Sequence, residues 1–435
     1  MSANARDPTA VPPAGLPWWK EPTRDQWNAY IAAWLGWTLD AFDFTVFLLL
    51  IVPISQEFHA PLTLVTLVFT LTLWMRLIGA VGSGWMADRM GRKAPLMISV
   101  LWYSICNFIA GFSPTFVFLL IFRTILGIGM GAEWPAGAAL AMETWPARSR
   151  GLMASILQGS WALGYLLSAL LYATVFDHIG WRGMLWIGVL PALAVVWIRI
   201  YVKEPEVWKE NQRKQKQQQA EMRAPLFAIF RRGLIGNTLN ACWWMASGFI
   251  VYYSVFGLFA TYLTRDLHMS PAMVGLPLIL TNAATFVASF FWGWVADLIG
   301  RRWAMIIPAL IGLLLTPVYL LTTDYTLICV AFTLQGAFAG AMYGQNPSYL
   351  CERFPTEVRA TASAFCYHQG AVFAGLIGPV ITWLAVDGGM GFAEPMMIFT
   401  TGALISFVAA LLLGPETKGK HFEADLEIRP LAQTH

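Results

Sequence analysis

Twelve long apolar stretches, separated by short polar breaks, set the rhythm of the chain. They fall at 27–54, 62–87, 94–111, 115–142, 151–175, 183–202, 234–263, 272–296, 303–321, 325–350, 360–386 and 394–414. A bilayer-spanning helix needs roughly 20 apolar residues, so twelve transmembrane helices are predicted. The short breaks carry turn chemistry, such as Ser113-Pro114 and Asp387-Gly388-Gly389. One break is different. Residues 203–233 hold the run Asn211-Gln212-Arg213-Lys214-Gln215-Lys216-Gln217-Gln218-Gln219, which is too polar to insert. The expected organisation is a tail over 1–26, a six-helix bundle over 27–202, a linker over 203–233, a second six-helix bundle over 234–414 and a tail over 415–435.

Composition agrees with that pattern and removes the alternatives. The 435 residues are 57% hydrophobic and only 12% charged, against about 25% charged in soluble domains. The fold class is all-α and membrane-embedded. Net charge is +3, and its placement says more than its size. Of the 28 Lys and Arg, only Arg182 and Arg265 fall in loops that alternation assigns to the outside. Arg76 and Arg123 lie inside apolar stretches, and the rest lie in the opposite set of loops or in the tails. This is the positive-inside pattern, with both termini cytoplasmic. A nucleic-acid role is excluded for want of a basic patch outside the membrane, and the basic stretch from Lys203 to Arg232 reads as a solvated linker. Four of the five cysteines, Cys106, Cys242, Cys329 and Cys366, are in apolar stretches and Cys351 is beside a loop, so no disulfide framework is expected. Residues 1–26 are polar and proline-rich, with no signal-peptide core, which leaves the first span as the membrane-targeting element.

The two halves repeat at a constant offset of 209 residues. Gly84-Trp85-Met86-Ala87-Asp88-Arg89-Met90-Gly91-Arg92-Lys93 follows span 2, and Gly293-Trp294-Val295-Ala296-Asp297-Leu298-Ile299-Gly300-Arg301-Arg302 follows span 8. Glu143, Pro146 and Arg150 map by the same shift onto Glu352, Pro355 and Arg359, and Gly127 and Gly131 onto Gly336 and Gly340. Several matches in one register make an internal duplication. With six spans per copy the copies share one orientation, so they are parallel repeats about an axis along the membrane normal.

The motif between spans 2 and 3, echoed between spans 8 and 9, resembles the signature of the major facilitator superfamily. Arg123-x-x-x-Gly127-x-Gly129-x-Gly131 resembles that superfamily's span-4 motif. Leu39-Asp40-Ala41-Phe42-Asp43-Phe44, Arg76 and Gly131-Ala132-Glu133-Trp134 are similar to the sialate:proton symporter family, which also contains lactate permeases. Two features depart from it. Sialate members carry extra membrane segments where this chain has its linker. Lactate members carry a His-Ser-Gln-Asp-type cluster in span 7, where this chain reads Asn240-Ala241-Cys242-Trp243-Trp244. The metabolite:proton symporter family is the near neighbour. The resemblance implies a proton-coupled transporter in an inner membrane, with no cofactor beyond the coupling protons, and a monomer in the bilayer.

Charged groups deep in a bilayer are expensive, about 2.5–3.5 kcal/mol each on insertion scales, and so mark function. Asp40 and Asp43 are spaced i, i+3 and share a face of span 1. At ~1.5 Å per residue, Asp40 lies roughly 20 Å and Arg76 roughly 18 Å from the cytoplasmic ends of their helices. Two carboxylates one turn apart do not both ionise cheaply, which makes Asp40 and Asp43 proton-coupling candidates. Arg76 is a candidate for gripping a substrate carboxylate through its two-pronged guanidinium; a static ion pair between spans 1 and 2 is the other reading. Glu133, on span 4, is either a second protonation site or a structural partner. Arg123 lies deeper, and its family role resembles electrostatic shaping of the proton site. Gln158, Asn240, Asn282, His368 and Gln369 are polar groups in apolar spans, and Trp161 and Tyr165 follow Gln158 along span 5; all seven are candidates for a substrate cavity. In the loop motif, Gly84 permits close helix approach and Gly91 a tight turn. Asp88 is suited to bind the N-terminal end of a neighbouring helix, and Arg89 and Arg92 supply the basic partners of a cytoplasmic latch that favours the outward-open state. Asp297 and Arg301 repeat it more weakly.

No enzyme signature is present. A P-loop is absent, as is a His/Cys ligand cluster, so ATP-driven pumping and metal chemistry are not expected. Span 5 lacks the Gly-Pro motif of proton-drug antiporters. The expectation is import of a small organic anion, such as a monocarboxylate, sugar acid or aromatic acid, by proton symport. A dicarboxylate or zwitterion symporter and a non-transporting receptor on the same fold are the alternatives.

Overall fold

The computed structural model describes residues 17–60, 62–217, 225–269, 271–386 and 388–419. Most of both expected tails and part of the Gln-rich run lie outside the described residues. Helices occupy all twelve predicted spans. The N-terminal half contains α1 (Arg24–Glu57), α2 (Leu62–Met90), α3 (Lys93–Ala110), α4 (Phe116–Thr144), α5 (Arg150–Ile187) and α6 (Ala192–Tyr201). The linker holds α7 (Glu206–Gln217) and the single turn α8 (Pro225–Ala228). The C-terminal half contains α9 (Ile235–Val255), α10 (Phe259–Arg265), α11 (Pro271–Ile299), α12 (Arg301–Leu320), α13 (Tyr325–Gln335), α14 (Asn346–Arg353), α15 (Arg359–Ala374), α16 (Ile377–Val386) and α17 (Ala393–Leu413). Among the described residues, nine helices are long and apolar enough to cross a membrane by themselves.

The helix starts follow ordinary rules. Thr23 caps α1 with a full capping box to Gln26, and Thr115 and Asp324 cap α4 and α13 through their side chains. Where single apolar stretches were expected, three spans of the second half are interrupted. Span 7 breaks between α9 and α10, span 11 between α15 and α16, and span 10 passes through a π-helical turn (Gly336–Gly340) and a 3-10 turn (Ala341–Gln345) before α14. Such turns inside a helix re-aim side chains and recur at functional sites.

The duplication is visible in the packing. Thr72 Oγ1 donates to the Arg123 carbonyl at 3.0 Å, and Thr281 Oγ1, 209 positions on, donates to the Phe332 carbonyl at 2.9 Å. Gly127 packs on the Thr72 carbonyl, and Gly336 packs on the Thr281 carbonyl. The halves meet chiefly where α2 packs on α15 and α5 packs on α11, and at their centre Gln158 donates to Tyr367, its own repeat-related position, at 3.3 Å.

Candidate functional site

A central cavity lies between the halves. Aromatic rings are a large part of its wall. Trp37 and Trp161 are 4.8 Å apart between centroids; Tyr367 stacks on Trp134 at 3.9 Å and meets Phe249 edge-on at 5.0 Å. Trp161 Nε1 donates to Tyr252 Oη at 2.9 Å, which joins the two halves across the cavity. Into this apolar box project Arg76, Gln158, Asn282, Asn346 and His368. Gln158 is held by Trp134 Nε1 at 3.2 Å and by Tyr367. His368 Nδ1 lies 3.2 Å from the Ala364 carbonyl, which makes it the donor, and Nε2 meets no hydrogen-bond partner among the described residues. The interrupted span 10 supplies Gly340, Ala341, Tyr343, Gly344 and Asn346 to the wall.

Arg76 is the cation of the cavity. Its guanidinium pairs with Asp40 and lies 5.1 Å and 5.7 Å from the ring centroids of Phe44 and Trp161. Asp40 stands behind it, away from the cavity and fully buried. One turn along, Asp43 accepts from Asn107 Nδ2 at 3.2 Å, and Asn107 Oδ1 accepts from Arg123 Nη1 at 2.8 Å. Arg123 sits 4.2 Å over the Phe47 ring. Glu133 is 1% exposed, and neither carboxyl oxygen has a hydrogen-bond partner among the described residues. Its Oε1 occupies a notch opposite Gly36, where a Cβ would come within 2.4 Å. The Tyr103 hydroxyl, also without a partner, is within electrostatic reach of Asp40, Asp43, Glu133 and Arg76.

Of the sequence candidates, Arg76, Gln158, Trp161, Asn282 and His368 therefore share one cavity, with Asp40, Asp43, Arg123 and Glu133 as a charged layer behind it. Three others stand elsewhere. Asn240 donates to the Ala410 carbonyl and accepts from Arg353 at the basic end of the bundle. Gln369 donates to the Cys242 and Cys366 carbonyls and ties α15 to α9. Tyr165 lies on α5 outside the lining residues. For Asn240 and Gln369 the reason is helical phase: each points from its helix toward a neighbouring backbone. Sequence reasoning missed Asn107, Tyr103 and the aromatic wall of Trp37, Phe249, Tyr252 and Tyr367. A polar Asn in an apolar stretch was a usable signal, whereas a buried Tyr or Trp looks the same in a core and in a cavity.

At the basic end the duplicated motif closes the two halves on each other. Asp88 accepts from the backbone N–H groups of Ala360 and Thr361 at 3.2 and 2.9 Å and from Thr361 Oγ1 at 2.7 Å, which caps the start of α15. Asp297 accepts from Gly151 and Leu152 N–H at 2.9 Å each, which caps the start of α5. A carboxylate at a helix N-terminus satisfies free N–H groups and meets the positive end of the dipole. Arg92 bridges Asp88 and Glu143, and Glu143 also binds Arg359 of the other half at 2.7 Å. Arg301 likewise bridges Asp297 and Glu352, and Glu352 binds Arg150. The second copy repeats the helix cap and the Arg bridge without, among the described residues, a hydroxyl donor like Thr361, and its contacts from Arg301 and Arg150 to Glu352 are longer, at 3.3 and 3.4 Å. Burial alone would lower the Arg92 pKa, but Glu143 and Asp88 outweigh it and hold the guanidinium above its ordinary value. Gly91 and Gly300 have φ of +105° and +102°, which only glycine adopts freely, and Glu204 and Glu416 fill the space beside them. Those two carboxylates cap the starts of α3 and α12 and were not foreseen. Arg89 stands apart from the bridge, 4.6 Å over the Trp85 ring.

The family model of the Major Facilitator Superfamily matches residues 33–263 and again residues 245–432. The cis,cis-muconate transport protein of Acinetobacter baylyi is 26% identical, covering 85% of this chain and 90% of the relative. The sialic acid transporter NanX of Escherichia coli is 25% identical, covering 93% and 98%. Among solved structures, the proton:xylose symporter XylE matches with a TM-score of 0.72 at 19% identity, covering 92% of this chain and 98% of that one, a likeness of fold. Duplicated helical halves, a cavity on the axis between them and a doubled Asp–Arg latch at one end thus converge with the family match: the chain belongs to the Major Facilitator Superfamily, and it is a multi-pass membrane transporter.

Proposed function

We propose that this transporter imports a small organic monocarboxylate together with protons, and that flat, unsaturated or aromatic acids fit it best. The observation that carries the reading is Arg76: a guanidinium on the wall of a cavity rich in aromatic rings, backed by buried carboxyls. Arg76 offers a substrate carboxylate a two-pronged donor, and the rings of Trp37, Trp161 and Tyr367 supply flat apolar faces for the remainder. Muconate and sialic acid, the cargoes in the relatives' names, are both carboxylic acids. The asymmetry of the halves points the same way. Asp40, Asp43, Arg76, Arg123 and Glu133 correspond, 209 positions on, to Phe249, Tyr252, Thr285, Phe332 and Met342. The proton-handling groups therefore all belong to the first half, while the second half brings aromatic and uncharged polar surface. The positive-inside pattern puts the latched end and the termini in the cytoplasm, in an inner membrane, and the protein acts as a monomer.

A thermal-shift screen of carboxylates on the purified protein, followed by uptake into proteoliposomes, tests this reading. Benzoate and nicotinate are expected to stabilise the protein and to accumulate when the outside is acid. Asp40→Asn is expected to abolish accumulation while exchange across the membrane persists, because a neutral amide carries no proton. Stabilisation by neutral sugars and by no carboxylate would overturn the proposal.

A further inference from the structure

The cluster behind the cavity holds three carboxyls and two guanidiniums, Asp40, Asp43 and Glu133 against Arg76 and Arg123, and none is more than 4% exposed. An uncompensated buried charge costs several kcal/mol even after relaxation. Charge balance therefore calls for one proton on the three acids. Hydrogen bonding says which acid holds it. Asp40 pairs with Arg76, and Asp43 accepts from Asn107, which Arg123 holds in place. Glu133 has a donor at neither oxygen, and its carboxyl sits against the bare backbone of Gly36. We infer that Glu133 is a positioning residue held protonated in the empty transporter, and that Asp40 is the carboxyl that exchanges its proton when an anion binds.

The exchange rests on the organic-anion reading above and follows from the same bookkeeping. Asp40 and a substrate carboxylate compete for one guanidinium, Asp40 from behind and the substrate from the cavity. When the substrate takes Arg76, a fourth carboxylate enters a cluster with two cations and one proton. Asp40 then accepts one proton from the outer solution, forming one O–H bond while its ion pair with Arg76 breaks. The sum is one monocarboxylate and one proton taken up with no net charge moved. The other groups facing Glu133 and Asp40 leave the count intact. They are Tyr103 on α3, Tyr253 on α9, and Tyr367 and His368 on α15; the phenols are neutral, and a buried His368 whose Nε2 meets no acceptor among the described residues gains nothing from a second proton.

Infrared difference spectroscopy of the full-length protein at neutral pH tests the assignment. The wild type without ligand is expected to show a protonated-carboxyl C=O absorption that shifts in heavy water. It should be lost in Glu133→Gln, move in Glu133→Asp and stay in place in Asp40→Glu, which keeps the number of acids, with thermal melting confirming that each variant is folded. Benzoate should add a second such absorption in the wild type, one that moves in Asp40→Glu and not in Glu133→Asp. Absence of the first absorption, or its displacement in Asp40→Glu while Glu133→Asp leaves it in place, overturns the Glu133 assignment and leaves the anion reading to its own uptake test. Benzoate that stabilises the protein yet adds no second absorption overturns the exchange. Failure of benzoate to bind, with the first pattern intact, counts against the anion reading and supports the resting proton on Glu133.

Discussion

Arg76 shows how much a single side chain carries. The guanidinium faces the cavity, pairs with Asp40 and lies near two aromatic faces, so charge, planarity and size all matter. Arg76→Lys keeps the charge and loses the fork. Charge-assisted hydrogen bonds contribute about 1.5–3 kcal/mol, so benzoate affinity measured calorimetrically should fall about ten-fold to a hundred-fold. A static ion pair makes the opposite forecast: lower melting temperature with unchanged affinity in the folded fraction. The cost of burying charge made Arg76, Asp40 and Asp43 legible in the sequence as a group at one depth. Asn107 was a fainter signal, because an uncharged polar group in an apolar span carries little cost when a neighbour satisfies it and only the fold names the neighbour, and a buried Tyr such as Tyr103 looks the same in a core and beside a charged cluster.

Between elements, close approach is decided by glycines whose role depends on the partner helix. On Gly131 of α4 a Cβ would meet the Arg76 carbonyl of α2 at 1.9 Å. Gly131→Ala should therefore push α2 from α4 and displace Arg76 with it. Overpacking typically costs about 1–3 kcal/mol, and the expected result is a lower melting temperature together with weaker benzoate binding. At the opposite end from the latch, Glu57 of α1 accepts from Trp181 and Arg182 near the end of α5. Burial, the largest single influence, would raise its pKa, but these donors and the Arg182 charge together hold it below the ordinary 4.5. A carboxyl depressed in the folded state stabilises above its unfolded pKa, and the gain is lost as pH falls through the lower folded value. Because Glu57 is 43% exposed, solvent screening keeps the contribution below about 1 kcal/mol. Glu57→Gln should lower thermal stability slightly at neutral pH and make no difference once the pH is well below 4.5, as read by melting curves across that range.

For the whole molecule, the doubled latch sets which end is closed. Asp88 and Asp297 each cap a helix of the opposite half, so removing either charge favours parting the halves at the basic end. Asp88→Asn should increase maleimide labelling of a Ser155→Cys reporter in a background without the native cysteines. Ser155 is fully buried beside Gln345. With about 1.5–3 kcal/mol lost, labelling should rise roughly ten-fold to a hundred-fold; an unchanged rate would show that the latch does not govern closure. Asp88, Arg92, Gly91 and their repeat were readable because a fixed offset repeats them in the chain. Glu204 and Glu416 were not, since they act on turns far from them in sequence. By itself the sequence determined the twelve apolar spans, the six-plus-six duplication and the depth of the buried charges, because the bilayer acts on each helix separately through length and polarity. Only the tertiary structure decided which polar groups face the cavity, that Asn240 and Gln369 turn away from it, that spans 7, 10 and 11 break, and that Glu133 stands without a donor. Those outcomes depend on helix phase and on which neighbour packs against each face, and that information belongs to pairs of helices rather than to any one of them.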